Sequence, residues 1–393
     1  MTLVRSGKGQ SFTSTKFAVS PDSTRHKVGT SITRRSAILG FSSIAIASAT
    51  VPCDWARASF AVKQLAPLRR RTHASGIKFG CAASAPSVQP DAILLNKIAT
   101  EANIFIPENH LKWAFTEPGP NQFDFGGSDG IADFAARHDM IMHGHTLVWH
   151  GEIPDWVTKI STARDARVAL ERHIVTLVSR YRGKIWAWDV VNEPVEPKDG
   201  LDNGYRNSIW FRLLGIDYVD LAFRLARVAD GKTPLSLNEY GFEYATARSQ
   251  QRRRDILALL QMLRDRNTPI DCFGLQSHLA CHGVFDRKEL TEFLRNVVDL
   301  GYRLMITELD VNDVQIAGNA AERDAAVARH VDEYLDIVFS VARPRSLSTW
   351  GLSDRYTWLS RRYRRADGRP LRPLPLDANF NRKLMWKSLA KYL

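Results

Sequence analysis

Cysteine is scarce in this 393-residue chain, with only Cys53, Cys81, Cys272 and Cys281. Their spacing matches no zinc motif, and a large domain needs no disulfide framework. A bridge between Cys272 and Cys281 is the one pairing the sequence leaves open. A glycine-rich phosphate loop is missing, which removes the common nucleotide-binding signature. Beyond residue 75 there is no linker, low-complexity tract or second composition. Charge of one sign is also less abundant than the formal +12 suggests. Residues 1–58 hold eight Lys/Arg against two acids, so the remainder carries 46 against 40. Nucleic-acid binding needs basic residues clustered on a face or motif, so no nucleic-acid partner is expected. The densest block, Arg361 to Arg365, precedes an Asp-Gly turn and reads as a solvated loop.

Residues 1–31 are rich in Ser, Thr and Lys and lack apolar periodicity. Arg34-Arg35 then precede an apolar run from Ala37 to about Val51 and an Ala56-Arg57-Ala58 site. Paired arginines, a short apolar stretch and a small-residue cleavage site form an export signal. The run is shorter than the roughly 20 residues of a spanning helix, so no stable membrane insertion is expected. The expectation is a periplasmic or secreted protein, exported through the twin-arginine machinery, with residues 1–58 as leader and 59–393 as one domain.

In that domain short apolar runs alternate with helical patterns. The runs are Ile77–Ala82, Ile104–Ile106, Ile141–Trp149, Ile185–Asn192, Leu235–Asn238, Phe273–Ser277, Leu304–Glu308 and Leu347–Gly351. Between them lie helix-like stretches such as Ala166–Tyr181, Ser208–Ala229, Arg254–Arg266, Arg287–Leu300 and Ala320–Ala342. Strand–helix alternation implies a parallel sheet. Eight strands over about 310 residues fit a closed (β/α)₈ TIM barrel of the α/β class. A doubly wound open sheet is the alternative, but Gly80-Cys81-Ala82-Ala83 is not its glycine-rich turn. The last helix, Arg382–Tyr392, is expected to end the domain, with no appended carbohydrate-binding module.

Working residues of a barrel sit at the carboxyl ends of its strands. Those ends read Pro107–Trp113, Gly144–His150, Trp188–Pro194, Asn238–Tyr240, Gln276–His278, Thr307–Asp310 and Trp350-Gly351. A single carboxylate after a strand often caps the next helix. Seven successive ends with aromatic or hydrogen-bonding side chains describe a site instead. His143 and His145 share one strand face and His150 points oppositely. Metal-ligand spacing is therefore lacking, and no metal or other cofactor is expected. Two strand-end glutamates, amide and imidazole donors and several tryptophans suit a sugar.

These segments, in this order, resemble glycoside hydrolase family 10, whose members are mostly endo-β-1,4-xylanases with a (β/α)₈ barrel. The most specific are Gly144-His145-Thr146-Leu147-Val148-Trp149-His150 and Asp189-Val190-Val191-Asn192-Glu193. The resemblance implies that Glu193 is the acid/base and Glu308 the nucleophile of a retaining hydrolysis of xylan. Retaining carboxyls stand about 5–5.5 Å apart. A negative nucleophile at that range favours a proton on the acid. The resemblance further implies that Asn192 bonds the sugar 2-hydroxyl and that His278 and Asp310 orient Glu308. Glu108, Asn109, Lys112, His145 and Gln276 would hold hydroxyls on the non-reducing side. Trp149 and Trp350 would be walls, Trp358 a roof, and Tyr240 a stacking face on the leaving side.

Four positions depart from the family pattern. Glu239 stands where Asp is usual, Gly241 where Asn is usual, His143 where Arg is frequent, and His110 where an acidic or small residue is usual. They bear on leaving-side affinity and product length, since no catalytic group is altered. A retaining β-1,4-glucanase and an inactive carbohydrate-binding homologue are the competing readings.

Overall fold

The computed structural model describes residues 65–393. The expected leader, with Cys53, lies outside them. All barrel strands run parallel. They are β1 (Lys78–Ala83), β2 (Ile104–Pro107), β3 (Ile141–Val148), β4 (Ile185–Asn192), β5 (Leu235–Glu239), β6 (Cys272–Leu275), β7 (His278–Ala280), β8 (Arg303–Asn312) and β9 (Ser346–Thr349). The order is β6-β5-β4-β3-β2-β1-β9-β8, and pairing of β6 with β8 closes the ring into an eight-stranded (β/α)₈ barrel. The sixth expected strand is split. After Leu275 the chain leaves the barrel through Gln276 and Ser277, then pairs again as β7 against the far end of β8. Ser277 takes a left-handed φ of 61° at this break.

Side chains alternate between two environments, as the two-residue period of a strand requires. Phe79, Phe105, Trp188, Phe273, Leu304 and Ile306 face the surrounding helices and join the main core. Ala187, Cys272 and Met305 fill the barrel interior. A second small cluster of Ala82, Ile104, Ile106 and Trp350 lies beneath the site. Where the site begins, polar residues replace apolar ones on the inward face: Asp189, Asn192, Asn238, Gln276 and Glu308 are all buried. Strand pairing is irregular there too. Register shifts fall between His145 and Val148 on β3, Asp189 and Val191 on β4, and Ile306 and Leu309 on β8. Such irregularities re-aim side chains at a barrel rim.

The helical stretch expected over Ser208–Ala229 is two helices, Ile209–Leu214 and Asp217–Ala229, separated at Gly215 with φ 63°. The stretch expected over Arg254–Arg266 begins earlier, at Ala247, where the Thr246 hydroxyl caps Ser249 N. Leu68–Ser75, Ala92–Glu101 and Gly126–Arg137 are further helices. The last of these opens on Gly-Gly-Ser-Asp-Gly, a poor helix former; burial of Ile131, Ala132, Phe134 and Ala135 overrides that preference. Cys81, Cys272 and Cys281 are free thiols. The Cys272–Cys281 bridge is therefore not made: Cys272 lines the barrel interior, whereas Cys281 follows β7 at the opposite strand end. Among the described residues no helix is long and apolar enough to cross a membrane.

Candidate active site

Glu308 lies on β8 and is buried. Its Oε1 accepts from Asn238 Nδ2 at 2.7 Å, and its Oε2 lies 3.2 Å from His278 Nε2. His145 Nδ1 stands 3.8 Å from Oε1. Burial alone would push this carboxyl up, but the adjacent His145 and His278 outweigh it and hold Glu308 below the ordinary range. His278 is the counterpart. Burial disfavours its charge, yet Asp310, 2.9 Å from Nδ1, and Glu308 raise it well above a free imidazole. As an imidazolium it donates to both carboxylates. Asp310 Oδ2 in turn accepts from Trp358 Nε1 at 2.6 Å, so the support of Glu308 reaches Trp358.

Glu193 follows β4 with a left-handed φ of 58°, its N–H bonded to Asn238 O at 2.9 Å. Its Oε1 accepts from Asn192 Nδ2 at 3.2 Å and from Gln276 Nε2 at 3.1 Å. The opposite oxygen, Oε2, meets Arg206 Nη2 at 3.4 Å and lies 3.7 Å from His150 Nδ1. Arg206 Nε also donates to the Glu193 carbonyl at 2.6 Å.

Asn238 connects the two halves. One amide group donates to both Asn192 Oδ1, at 2.9 Å, and Glu308 Oε1, while Asn238 Oδ1 accepts from Thr307 Oγ1 at 2.8 Å. Gly274 makes room for it, since a Cβ there would meet Asn238 Oδ1 at 2.2 Å. The result is a continuous chain from Glu193 through Asn192 and Asn238 to Glu308.

Around this centre the expected sugar-contact residues divide. Lys112 Nζ donates to Asn109 Oδ1 at 3.1 Å and stands 5.0 Å from the Trp149 ring and 5.9 Å from the Trp350 ring. Burial lowers its ammonium, opposed by nearby glutamates including Glu308 and Glu108. Glu108 accepts from Ser84 Oγ at 3.4 Å. His145 is 5.0 Å from Trp350 ring to ring, and its Nδ1 is held at 3.0 Å by Asp189. His143 Nε2 lies 3.0 Å from the same Asp189 oxygen. The His143–Asp189–His145 group outweighs burial and depresses the Asp189 carboxyl strongly.

Two expected residues also bond protein neighbours within the site. Gln276 is committed to Asn192, at 3.2 Å, and to Glu193. Tyr240 donates its hydroxyl to Glu196 Oε2 at 3.0 Å and accepts from Arg206 Nη2 at 3.1 Å, and the Arg252 guanidinium covers its ring at 4.1 Å. Glu239 does not reach the carboxyl pair. Its Oε1 accepts from Val195 N at 2.8 Å, and burial raises its carboxyl to about 7. Sequence reading missed Asn238 and Arg206 as working residues. Asn238 was signalled by its strand-end position, whereas Arg206 comes from the loop beyond Glu193 and carries no strand pattern.

A buried carboxylate held by a cation and an amide is a fixed anion. Beside it stands a second carboxyl with its own donors. Such a pair can deliver a proton and stabilise a developing positive centre between them.

The glycosyl hydrolase family 10 model matches residues 67–392. Endo-1,4-beta-xylanase 2 of Aureobasidium pullulans is 34% identical over 305 residues, covering 74% of this chain and 80% of that protein. Endo-1,4-beta-xylanase B of Thermotoga neapolitana is 34% identical over 276 residues, covering 69% and 76%. The crystal structure of xylanase 10B from Thermotoga petrophila RKU-1 in complex with xylobiose superposes with a TM-score of 0.75 at 29% identity, covering 84% of this chain and 97% of that one. The strand-end glutamates therefore sit in a barrel of known kind, and this chain belongs to glycosyl hydrolase family 10.

Proposed function

We propose that the protein is a retaining endo-β-1,4-xylanase in which Glu308 is the nucleophile and Glu193 the acid/base. The observation that carries the division of roles is the setting of Glu308, an anion buried against His278 and Asn238 and held below the ordinary carboxylate range. The names of the relatives support xylan as the substrate.

In the first step Glu308 Oε attacks the anomeric carbon while the glycosidic C–O bond breaks. The leaving oxygen takes its proton from Glu193, and a glycosyl ester forms on Glu308. In the second step Glu193, now ionised, removes a proton from water. That water attacks the anomeric carbon, the ester bond breaks, and Glu308 is restored as carboxylate. Asn192 would bond the sugar 2-hydroxyl, an interaction that strengthens in the oxocarbenium-like transition state. Between the steps Gln276 and Arg206 hold the Glu193 carboxyl in place.

Proton NMR of xylan hydrolysis tests the reading directly. The first anomer formed should be β, and xylan should be cleaved much faster than carboxymethylcellulose. An α product, or the reverse substrate order, would overturn it. Glu308→Gln and Glu193→Gln should each lower kcat by several orders of magnitude.

Residues 1–58 are proposed to direct export through the twin-arginine machinery; Arg34→Lys with Arg35→Lys should then trap the precursor inside the cell. The division into leader and catalytic domain is part of this proposal.

A further inference from the structure

The roof tryptophan, Trp358, begins a one-turn helix, Leu359–Arg362, whose end is strongly basic. Trp358 belongs to the cleft, with its ring 5.2 Å from His278 and its indole N–H on Asp310. Arg361 and Arg362 follow within one turn, and Arg364 comes next in the loop; all three are exposed. Arg361 Nη2 lies 3.7 Å from Glu108 Oε1 although its side chain is 79% exposed. The Arg362 guanidinium lies 6.0 Å from the Trp358 ring centre.

The other arginines of this region are accounted for by structure. Arg365 is buried on the carbonyls of Asp313 and Val314 and paired with Asp367. Arg372 is paired with Asp324, and Arg355 with Asp91. Among the described residues Arg362 and Arg364 have no carboxylate within salt-bridge distance, and Arg361 has only the long contact to Glu108. Two arginines in a last helical turn favour the local dipole modestly. That does not account for Arg364 beyond the helix, nor for the contact between Arg361 and a cleft carboxylate.

We infer that this rim recognises a carboxylate-bearing substituent, a uronic acid side group, on the polysaccharide unit lodged against Trp358 and Glu108. The inference rests on the proposed xylan reading and narrows it to acid-decorated chains. A planar guanidinium pairs with a carboxylate through parallel N–H donors. The patch is continuous with a cleft wall, so the anion it meets is carried by the polymer in that cleft. At such exposure each pair is worth at most about 1 kcal/mol, or roughly a fivefold effect. The preference should therefore be modest and strongly salt-dependent.

The test compares two xylo-oligosaccharides with the same backbone. One bears a uronate and the other has that carboxyl reduced to an alcohol. For the wild type at low salt, kcat/KM should favour the uronate by about three- to fivefold. The ratio should fall to about one in the Arg361→Gln/Arg362→Gln double variant, and in the wild type near 1 M salt, where the screening length is about 3 Å. The Lys/Lys double variant should keep an intermediate ratio. A wild-type ratio of one, or a ratio unchanged in the Gln/Gln variant, would overturn the inference. Failure of the wild type to cleave either substrate would instead remove the xylanase reading.

Discussion

Asn238 Nδ2 lies 2.7 Å from Glu308 Oε1, fixing the end of β5 to the buried carboxylate of β8. The same amide group bonds Asn192 Oδ1, so one side chain sets the position of Glu308 relative to the loop that carries Glu193.

Removing that amide should therefore hurt catalysis more than folding. A hydrogen bond to a charged group contributes about 1.5–3 kcal/mol, and each 1.36 kcal/mol of barrier is tenfold in rate. Asn238→Ala is expected to lower kcat by roughly 10- to 100-fold. Steady-state kinetics beside a thermal melt checks this; a loss explained wholly by unfolding at the assay temperature would count against it.

Arg206 should act on one half-reaction. It grips the Glu193 carbonyl and carboxyl, the group proposed to protonate the leaving oxygen. Arg206→Gln is expected to slow hydrolysis of unactivated xylo-oligosaccharides by at least about tenfold. Aryl glycosides whose phenol leaves without protonation should be affected far less. Equal losses on both substrates would point to a purely structural role.

The acidic limb of the pH profile should depend on His278. As the proposed nucleophile Glu308 must be ionised, and its positive neighbours hold it below the ordinary range. Activity should thus persist to lower pH than a free carboxylate permits. His278→Gln removes one of those charges, so the acidic limb of kcat/KM, which reports the free enzyme, should move to higher pH. An unmoved limb would show that His145 alone holds the carboxyl ionised.

Glu243 predicts a pH dependence of stability with the opposite sign. Its Oε1 has no partner among the described residues, and burial raises the carboxyl to about 7. Between its ordinary value and 7 the unfolded chain is ionised while the folded one keeps the proton. Stability therefore falls as pH rises through that window and levels off above it. Glu239 follows the same course. Glu243→Gln should narrow the difference in Tm between pH 5 and pH 8, read by calorimetry; an unchanged gap would rule the group out.

Much of this site was legible because a barrel places its chemistry at strand ends, where apolar runs meet polar residues. Glu193, Glu308, Asn192 and His278 stand where the sequence puts them, and Ile185–Asn192 is bounded as expected. What escaped was lateral connection. The bond from Gln276 to Glu193 lies beside the break at Ser277, which apolar pattern does not encode. Arg206 lies in a loop, and the split at Gly215 interrupts a helical pattern without altering its period. The glycine-rich start of Gly126–Arg137 shows the converse, with tertiary burial deciding a helix that local preference opposes.

The break between β6 and β7 has a mechanical consequence. Gln276 serves Glu193 and His278 serves Glu308, with only the left-handed Ser277 between them. A single short segment thus contributes one support to each carboxyl group, and a displacement of it would disturb both together. Loosening this segment, for example with Ser277→Gly, should slow formation and breakdown of the glycosyl ester in equal proportion. The height of a pre-steady-state burst would then stay constant while both of its rates declined.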